Sequence, residues 1–331
     1  NMGNFSFKSP KATIFGGTGF LGRYIVNRLA KLGYIIDVVT RYPNEAIFLK
    51  TSGNVGQINL IKGSFSNLNK VEPFLIDSDI IINCVGILNE GRKNKFIQIH
   101  TNAPEKIAIL AKKIGVKKLI HISSIGANIN SKSKYAKTKG LGEDKILNVF
   151  PEAIILRPSI VFGAEDQFFN LFSQISCISP ILPIVGSKTN FQPVYVDDIA
   201  KAVEKILQKK NLSSKNHHNL IYELGGPEVM NFYSLMQKML LFIYRKRIII
   251  NLPFRVAKLI CPLVLIFNKI SFNKFPLLIT EDSIQQLKVD NVVNNDKYLG
   301  FEDLGLKPRS MDLILPSYLK HYRPKGNFSD L

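Results

Sequence analysis

Apolar and polar positions follow two patterns along this chain. Short continuous apolar runs recur, and most lead into a stretch where apolar residues return every three or four positions, the spacing of one helix face. The first run, Ala12 to Phe15, enters Gly16-Gly17-Thr18-Gly19 and then a helical pattern with Leu21, Ile25, Val26 and Leu29 apolar. Tyr34 to Arg41 is a second β-rich run. Ile58 to Ile61, Asp79 to Gly86, Lys117 to Ser124 and Ala153 to Gly163 repeat the continuous pattern, the last turning at Pro158. Such runs are expected of parallel strands covered on both faces. Between them, Phe96 to Ile114 reads as a helix, and another opens near Ser131.

Farther on, Gln192 to Val196 reads as a strand, with Asp197 and Asp198 capping the next helix. Asn211 to Asn219 is a polar loop, Tyr222 to Leu224 a strand before Gly225-Gly226-Pro227, and Phe232 to Tyr244 a helix. Thr280 starts a capped helix, Leu304 to Pro308 turns, and Met311 to Tyr322 closes the pattern. Strand alternating with helix predicts an α/β, Rossmann-type doubly wound parallel sheet. A smaller, mostly helical C-terminal lobe follows. The expected division is 10–225 and 226–331, partly interleaved.

The first turn carries the clearest chemistry. Gly16, Gly19 and Gly22 lie three apart between a strand and a helix. Glycines there let the backbone turn tightly and approach a pyrophosphate, whose charge then meets the unpaired N–H groups of the helix start. Thr18, Phe20 and Leu21 complete the turn. At the end of the second strand an acidic residue takes the ribose hydroxyls in NAD-type sites, but this strand ends on Arg41, and Asp37 lies four residues too early. Arginine favours a 2′-phosphate, so NADP(H) is preferred and NAD(H) stays open. Arg23 can add to the same pocket. Cys84, Val85 and Gly86 would bring small side chains and backbone against the cofactor, and Asn102 lies on the helix that follows.

Tyr135 and Lys139 are four apart and share a helix face. Hydride transfer to or from a carbonyl needs a matching proton, which a tyrosine supplies if an ammonium stabilises its phenolate. Ser124 would hold the carbonyl oxygen. The spacing alone is weak evidence: 44 basic residues and 11 tyrosines in 331 give about one chance match. Tyr24 and Arg28 show one inside the first helix. Position favours Tyr135, because its helix directly follows a strand ending in Ser123-Ser124. His121 alternates with apolar neighbours and reads as a core histidine.

Composition narrows the picture only a little. Three distant cysteines, Cys84, Cys177 and Cys261, suggest neither a disulfide framework nor a metal site. Asn1 to Lys11 shows no secretory signal. A net charge of +19 invites a nucleic-acid reading. Its lysines are scattered, however, and no nucleic-acid motif accompanies them. A generally basic surface is the better reading, and an acidic protein partner or an anionic membrane face is compatible with it.

Taken together, the glycine pattern, Asn83 to Gly86, Ser123-Ser124, Tyr135 with Lys139, Leu156-Arg157-Pro158-Ser159 and Val194 to Asp198 resemble the extended or atypical short-chain dehydrogenase/reductase superfamily, close to its NAD-dependent epimerase/dehydratase type. Gly126 to Asn128, Phe150 to Ile154, Phe162 to Asp166, Gln192 to Val196 and Phe301 to Gly305 are similar to the accessory subunit of respiratory complex I called alpha-subcomplex subunit nine, and to its bacterial relatives. The resemblance runs from about Lys11 to Arg323. It implies a tightly held NADPH, peripheral placement on complex I near the inner membrane, in the bacterial cytoplasm or the mitochondrial matrix, and no established turnover. It also implies that Tyr135, Lys139 and Pro158 border the cofactor. Many relatives place an acidic residue at Ser64 to contact adenine, and here that contact falls to the backbone.

From Arg247 to Lys274 the chain is at its most apolar, but Pro253, Arg255, Lys258 and Pro262 interrupt it, which argues against a membrane span. Either this stretch packs over its own sheet, or it rests as an amphipathic cationic segment on a membrane surface or partner subunit. Two functions follow. The first is a complex I accessory subunit in which NADPH stabilises the fold. The second is an active reductase or sugar-nucleotide epimerase/dehydratase acting on a small-molecule carbonyl or sugar nucleotide through Ser124, Tyr135 and Lys139. Nucleic-acid binding rests on net charge alone.

Overall fold

The computed structural model describes residues 9–91, 94–209, 220–261 and 280–324. The polar loop from Asn211 to Asn219 and positions 262–274 of the apolar stretch lie outside the described residues. The chain begins β1 (Lys11–Phe15), α1 (Phe20–Lys31), β2 (Ile35–Thr40), β3 (Ile58–Lys62), α2 (Leu68–Leu75), β4 (Ile80–Asn83), α3 (Ala103–Ile114) and β5 (Lys118–Ile122). It continues through α4 (Lys134–Val149), β6 (Ile154–Pro158), β7 (Val161–Phe162), α5 (Phe169–Ile178), β8 (Ile181–Val185), β9 (Asn190–Phe191), β10 (Val194–Tyr195) and α6 (Val196–Gln208). Then come β11 (Leu220–Leu224), β12 (Met230–Asn231), α7 (Phe232–Phe242), β13 (Ile248–Leu252), α8 (254–261), α9 (Glu281–Gln286) and α10 (Met311–Leu319).

Contacts divide the described residues into two units. The first holds those up to Ile122, Leu141–Leu156 and those from Ala200 to Ile221. The second holds Ser123–Gly140, Arg157–Ile199 and those from Tyr222 onward. A seven-stranded sheet in the order β11-β6-β5-β4-β1-β2-β3 organises the first unit, and β6 and β11 begin in it. The pairings from β3 through β6 are all parallel. β1 therefore has β2 on one side and β4 on the other, the switch point where ligands bind in doubly wound sheets. Phe15, Ile81, Ile107, Leu75 and Ile155 belong to one buried cluster in this unit. Each such side chain contributes about 1.5–3 kcal/mol on burial.

The second unit has its own core, centred on Phe162, Phe169, Phe191, Phe232, Met236 and Leu315. Phe168 meets Phe169 edge to face, with ring centroids 5.1 Å apart. Its strands form two-stranded pairs: β7 with β10 and β8 with β13 run parallel, while β9 and β12 run antiparallel.

Several expectations are corrected. The run from Ala153 to Gly163 is two strands, β6 and β7, because the chain leaves the sheet after Pro158 and β7 pairs with β10. The helix expected from Phe96 begins as a π-helical turn, Ile97–Asn102, and becomes α3 only at Ala103. Pro104 has no N–H for the carbonyl of His100, and Ala103 N donates to Gln98 O instead. The strand from Asp79 to Gly86 stops at Asn83. Asp197 and Asp198 lie in the first turn of α6 rather than at its cap. Their carboxylates hold the Arg309 guanidinium at 2.7 and 2.8 Å.

Other elements carried no clear signal. Pro183 demotes β8 to an edge-type strand, and α5 buries Ser173 and Ser176 beside Phe169, so its inner face is not a plain apolar stripe. In the apolar stretch, β13 and α8 occupy the described part, and no helix among the described residues is long and apolar enough to cross a membrane.

Candidate functional site

In the first unit the turn after β1 is closed by backbone contact. Gly19 N donates to Gly16 O at 3.1 Å, and Cys84 N donates to Phe15 O at 2.8 Å, which lays the end of β4 beside the turn. Gly16 sits at φ +77°, where side chains are strained, and a Cβ on it would lie 2.9 Å from the Cys84 carbonyl carbon and 3.0 Å from Val85 N. A Cβ on Gly22 would lie 2.2 Å from Gly16 O. Gly19 caps α1 without a side-chain hydrogen bond, and the first turn of α1 has no acidic residue. The positive end of the helix is thus left to an anion.

The loop after β4 is built as carefully. Asn83 is buried; its Oδ1 accepts from Val85 N at 3.0 Å, and its Nδ2 lies 3.1 Å from His121 Nδ1. An amide nitrogen can only donate there, so His121 Nδ1 accepts. His121 is buried within the sheet. His100, on the π-helical turn, accepts from Ile87 N through Nε2 at 3.2 Å and stacks on Phe96 with ring centroids 5.1 Å apart. Sequence reasoning missed His100. Its only signal was its place one turn before Pro104.

The adenosine-side candidates occupy the ends of β2 and β3. Arg41 is exposed just past β2, its guanidinium 5.7 Å from the Tyr42 ring centroid. Arg23 lies 5.1 Å over the Phe48 ring, and its Nη2 donates to Thr18 O at 3.4 Å. Asp37 is buried and paired with Lys11 at 2.8 Å, so its carboxylate is committed within the sheet. Ser64 shares a 2.6 Å hydrogen bond with Ser66. Phe20 and Leu21 open α1, Gly86 is exposed, and Asn102 is exposed at the end of the π-helical turn. The structure thus gathers Gly16 and Gly22 with the backbone of Cys84 and Val85.

The second unit carries Ser124, Tyr135, Lys139 and Pro158. Ser124 lies two residues beyond β5, and the next residue, Ile125, donates its N–H to Pro158 O at 3.0 Å. Tyr135 is in the first turn of α4. Lys139 is only 4% exposed, with Nζ 6.0 Å from the Tyr135 ring centroid. The Ser124 hydroxyl is buried with no partner at full hydrogen-bond geometry, and the polar group it faces is the Tyr135 phenol. Burial pushes the Tyr135 phenol above the ordinary tyrosine value, Ser124 pulls it back, and the Asp282 carboxylate pushes it up again. At neutral pH Tyr135 therefore keeps its proton. The chance match at Tyr24 and Arg28 resolves differently, since Arg28 is ion-paired with Glu204 at 2.8 Å.

Among the described residues, no group of three or more His, Cys, Asp or Glu is placed to hold a metal. A dinucleotide fits the first unit instead. The Gly16 cradle admits no side chain, and the start of α1 offers N–H groups without an acidic competitor.

The family model described as "NAD dependent epimerase/dehydratase family" matches residues 12–225. NADH dehydrogenase [ubiquinone] 1 alpha subcomplex subunit 9, mitochondrial, of Arabidopsis thaliana is 33% identical over 329 residues, covering 98% of this chain and 81% of that protein. The NADH-ubiquinone oxidoreductase 40 kDa subunit, mitochondrial, of Neurospora crassa is 31% identical over 326 residues, covering 98% and 83%. Among solved structures, the Bordetella bronchiseptica enzyme WbmG in complex with NAD has a TM-score of 0.69 at 12% identity, covering 96% of this chain and 95% of that one. That last likeness is one of fold.

The close approach at Gly22 makes a direct prediction. Gly22→Ala forces the α1 turn apart, costs about 1–3 kcal/mol, and should abolish any rise in melting temperature on adding a dinucleotide. Gly33→Ala, at φ +83° with nothing within 4 Å, carries backbone strain alone and keeps that rise. Thermal melts of both variants with and without dinucleotide provide the check.

Proposed function

The chain belongs to the NAD dependent epimerase/dehydratase family, in the line of the alpha subcomplex subunit 9 proteins, and from that membership we propose that it is a dinucleotide-holding accessory subunit of respiratory complex I. The single structural observation that carries the dinucleotide-holding part is the cradle at Gly16 and Gly22, closed by the backbone of Cys84 and Val85. The α1 amides take the pyrophosphate. Arg41 and Arg23 take a 2′-phosphate, which makes NADP(H) the preferred form. Ser64 leaves adenine to backbone contacts. When bound, the dinucleotide supplies a nicotinamide able to carry a hydride. In this reading it acts chiefly as a stabilising ligand, since anything that binds only the native state stabilises it by mass action, by about 4 kcal/mol at a thousandfold excess over Kd.

Peripheral placement at the inner membrane, on a complex I partner, is supported by the relatives' names and by surface chemistry. The chain has a net charge of +19, and Ile248, Ile250 and Leu259 are exposed beside Arg247, Arg255 and Lys258. Either a mitochondrial matrix face or a bacterial cytoplasmic face suits it.

The set Ser124, Tyr135 and Lys139 favours a second reading, an active reductase or sugar-nucleotide epimerase/dehydratase. There Tyr135 Oη hands its proton to a carbonyl oxygen that Ser124 Oγ also holds. The raised Tyr135 value suits proton donation better than proton abstraction.

Two outcomes test these readings. In native gels of mildly solubilised membranes, a tagged chain comigrates with complex I activity; a chain that stays in the soluble fraction as a free species sinks the accessory-subunit reading. Arg41→Ala weakens NADPH binding by about tenfold or more while leaving NADH binding nearly unchanged, as loss of one charge-assisted contact requires. Equal loss for both dinucleotides in a titration would remove Arg41 from the 2′-phosphate site.

A further inference from the structure

A helix start leaves its first amides without intrahelical acceptors. In α4, which carries Tyr135 and Lys139, every one of them is taken. Lys137 N donates to Ser133 O at 2.9 Å, and Ala136 N donates to Ser133 Oγ at 3.2 Å. Lys134 N and Tyr135 N donate to the two oxygens of one carboxylate, Asp282, at 2.5 and 3.2 Å. The Ser133 hydroxyl donates to the same group at 3.0 Å, and Gln286 Nε2 adds a fourth bond at 3.0 Å. Asp282 stands 147 residues from Tyr135 in the chain, on α9. The start of α9 is closed by a capping box between Thr280 and Ser283.

We propose that Asp282 is a positioning residue: its carboxylate fixes the start of α4, and through it α9 sets how Tyr135 and Lys139 are presented. Ser133 alone could satisfy only the later amides of the turn. A carboxylate has about four acceptor sites, and here Oδ2 takes the Ser133, Tyr135 and Gln286 donors while Oδ1 takes Lys134 N. The positive end of α4 favours a negative charge at this point. The neighbouring acid behaves differently, because Glu281 is exposed and pairs with exposed Lys258 at 3.4 Å.

The groups facing the Tyr135 phenol and ring include Ser124, Asp282 and Lys139. Asp282 acts on Tyr135 by charge as well as by geometry, adding to burial, the larger cause that keeps the phenol protonated. The functional weight of this arrangement rests on the reading of Ser124, Tyr135 and Lys139 as a working set. The arrangement itself does not.

The test uses the full chain labelled with carbon-13 at the tyrosine ζ carbon, with the Tyr135 resonance assigned by its loss in Tyr135→Phe. Asp282→Asn keeps an acceptor oxygen but removes the charge. It should lower the Tyr135 titration midpoint and give about three- to tenfold more phenolate at a fixed pH near 10. Asp282→Ala should make the Lys134 and Tyr135 amides exchange about fivefold faster, the loss expected for a helix cap. Glu281→Gln should move neither readout. If Asp282→Ala does not fold, Asp282→Asn decides the matter alone. A Tyr135 midpoint unchanged in Asp282→Asn, or one moved as far by Glu281→Gln, overturns the proposal. Because both readouts need no dinucleotide or substrate, a wild-type chain that reduces no carbonyl compound would end the reductase reading and leave this result standing.

Discussion

Everything on the dinucleotide side depends on one steric constraint: two backbones meet at the ends of β1 and β4 with no space for a Cβ between them. A side chain at Gly16 would collide with the carbonyl of Cys84, and one at Gly22 with the carbonyl of Gly16. The closeness has a cause in the sheet. β1 and β4 are parallel neighbours with Phe15 opposite Asn83, so both chains leave the sheet at the same level. Asn83 then spends its side chain on Val85 and His121, which holds the departing loop against the turn. Glycine costs about 1 kcal/mol relative to alanine in a helix, and Gly22 is tolerated in α1 because no other residue fits.

The second unit solves a different problem, the start of α4. Here the local sequence is insufficient, and a carboxylate from α9 completes the cap. α4 also carries two glycines for the reason Gly22 is kept. A Cβ on Gly140 would meet the backbone of Asn128 at 2.7 Å, and one on Gly142 would lie against the carbonyl of His100 at 1.9 Å. That carbonyl belongs to the π-helical turn, where Pro104 offers no N–H to receive it. A helix that carries two glycines is thus held by specific contacts at its start and along its length.

The local part of this account was legible in the sequence, and the long-range part was not. Strand, glycine turn and helix could be read from Ala12 to Leu29 because each signal lies within one turn of the next. Asp37 could be set aside by counting residues, and its burial against Lys11 gives the physical reason. Asp282 left no trace, because a carboxylate capping a helix 147 residues away has no local signature. The π-helical turn and β8 were hidden by prolines, which report only that a regular element is disturbed, not what replaces it. Asp197 and Asp198 looked like caps, and the cation that claims them lies more than a hundred residues on, at Arg309.

The most direct measurement is to purify the chain, dialyse it at length, denature it and identify what is released. The account predicts close to one equivalent of NADPH per chain, or, if the site has emptied, tight rebinding of NADPH in preference to NADH. Release of no nucleotide, together with no detectable binding of either dinucleotide to the folded chain, would contradict it.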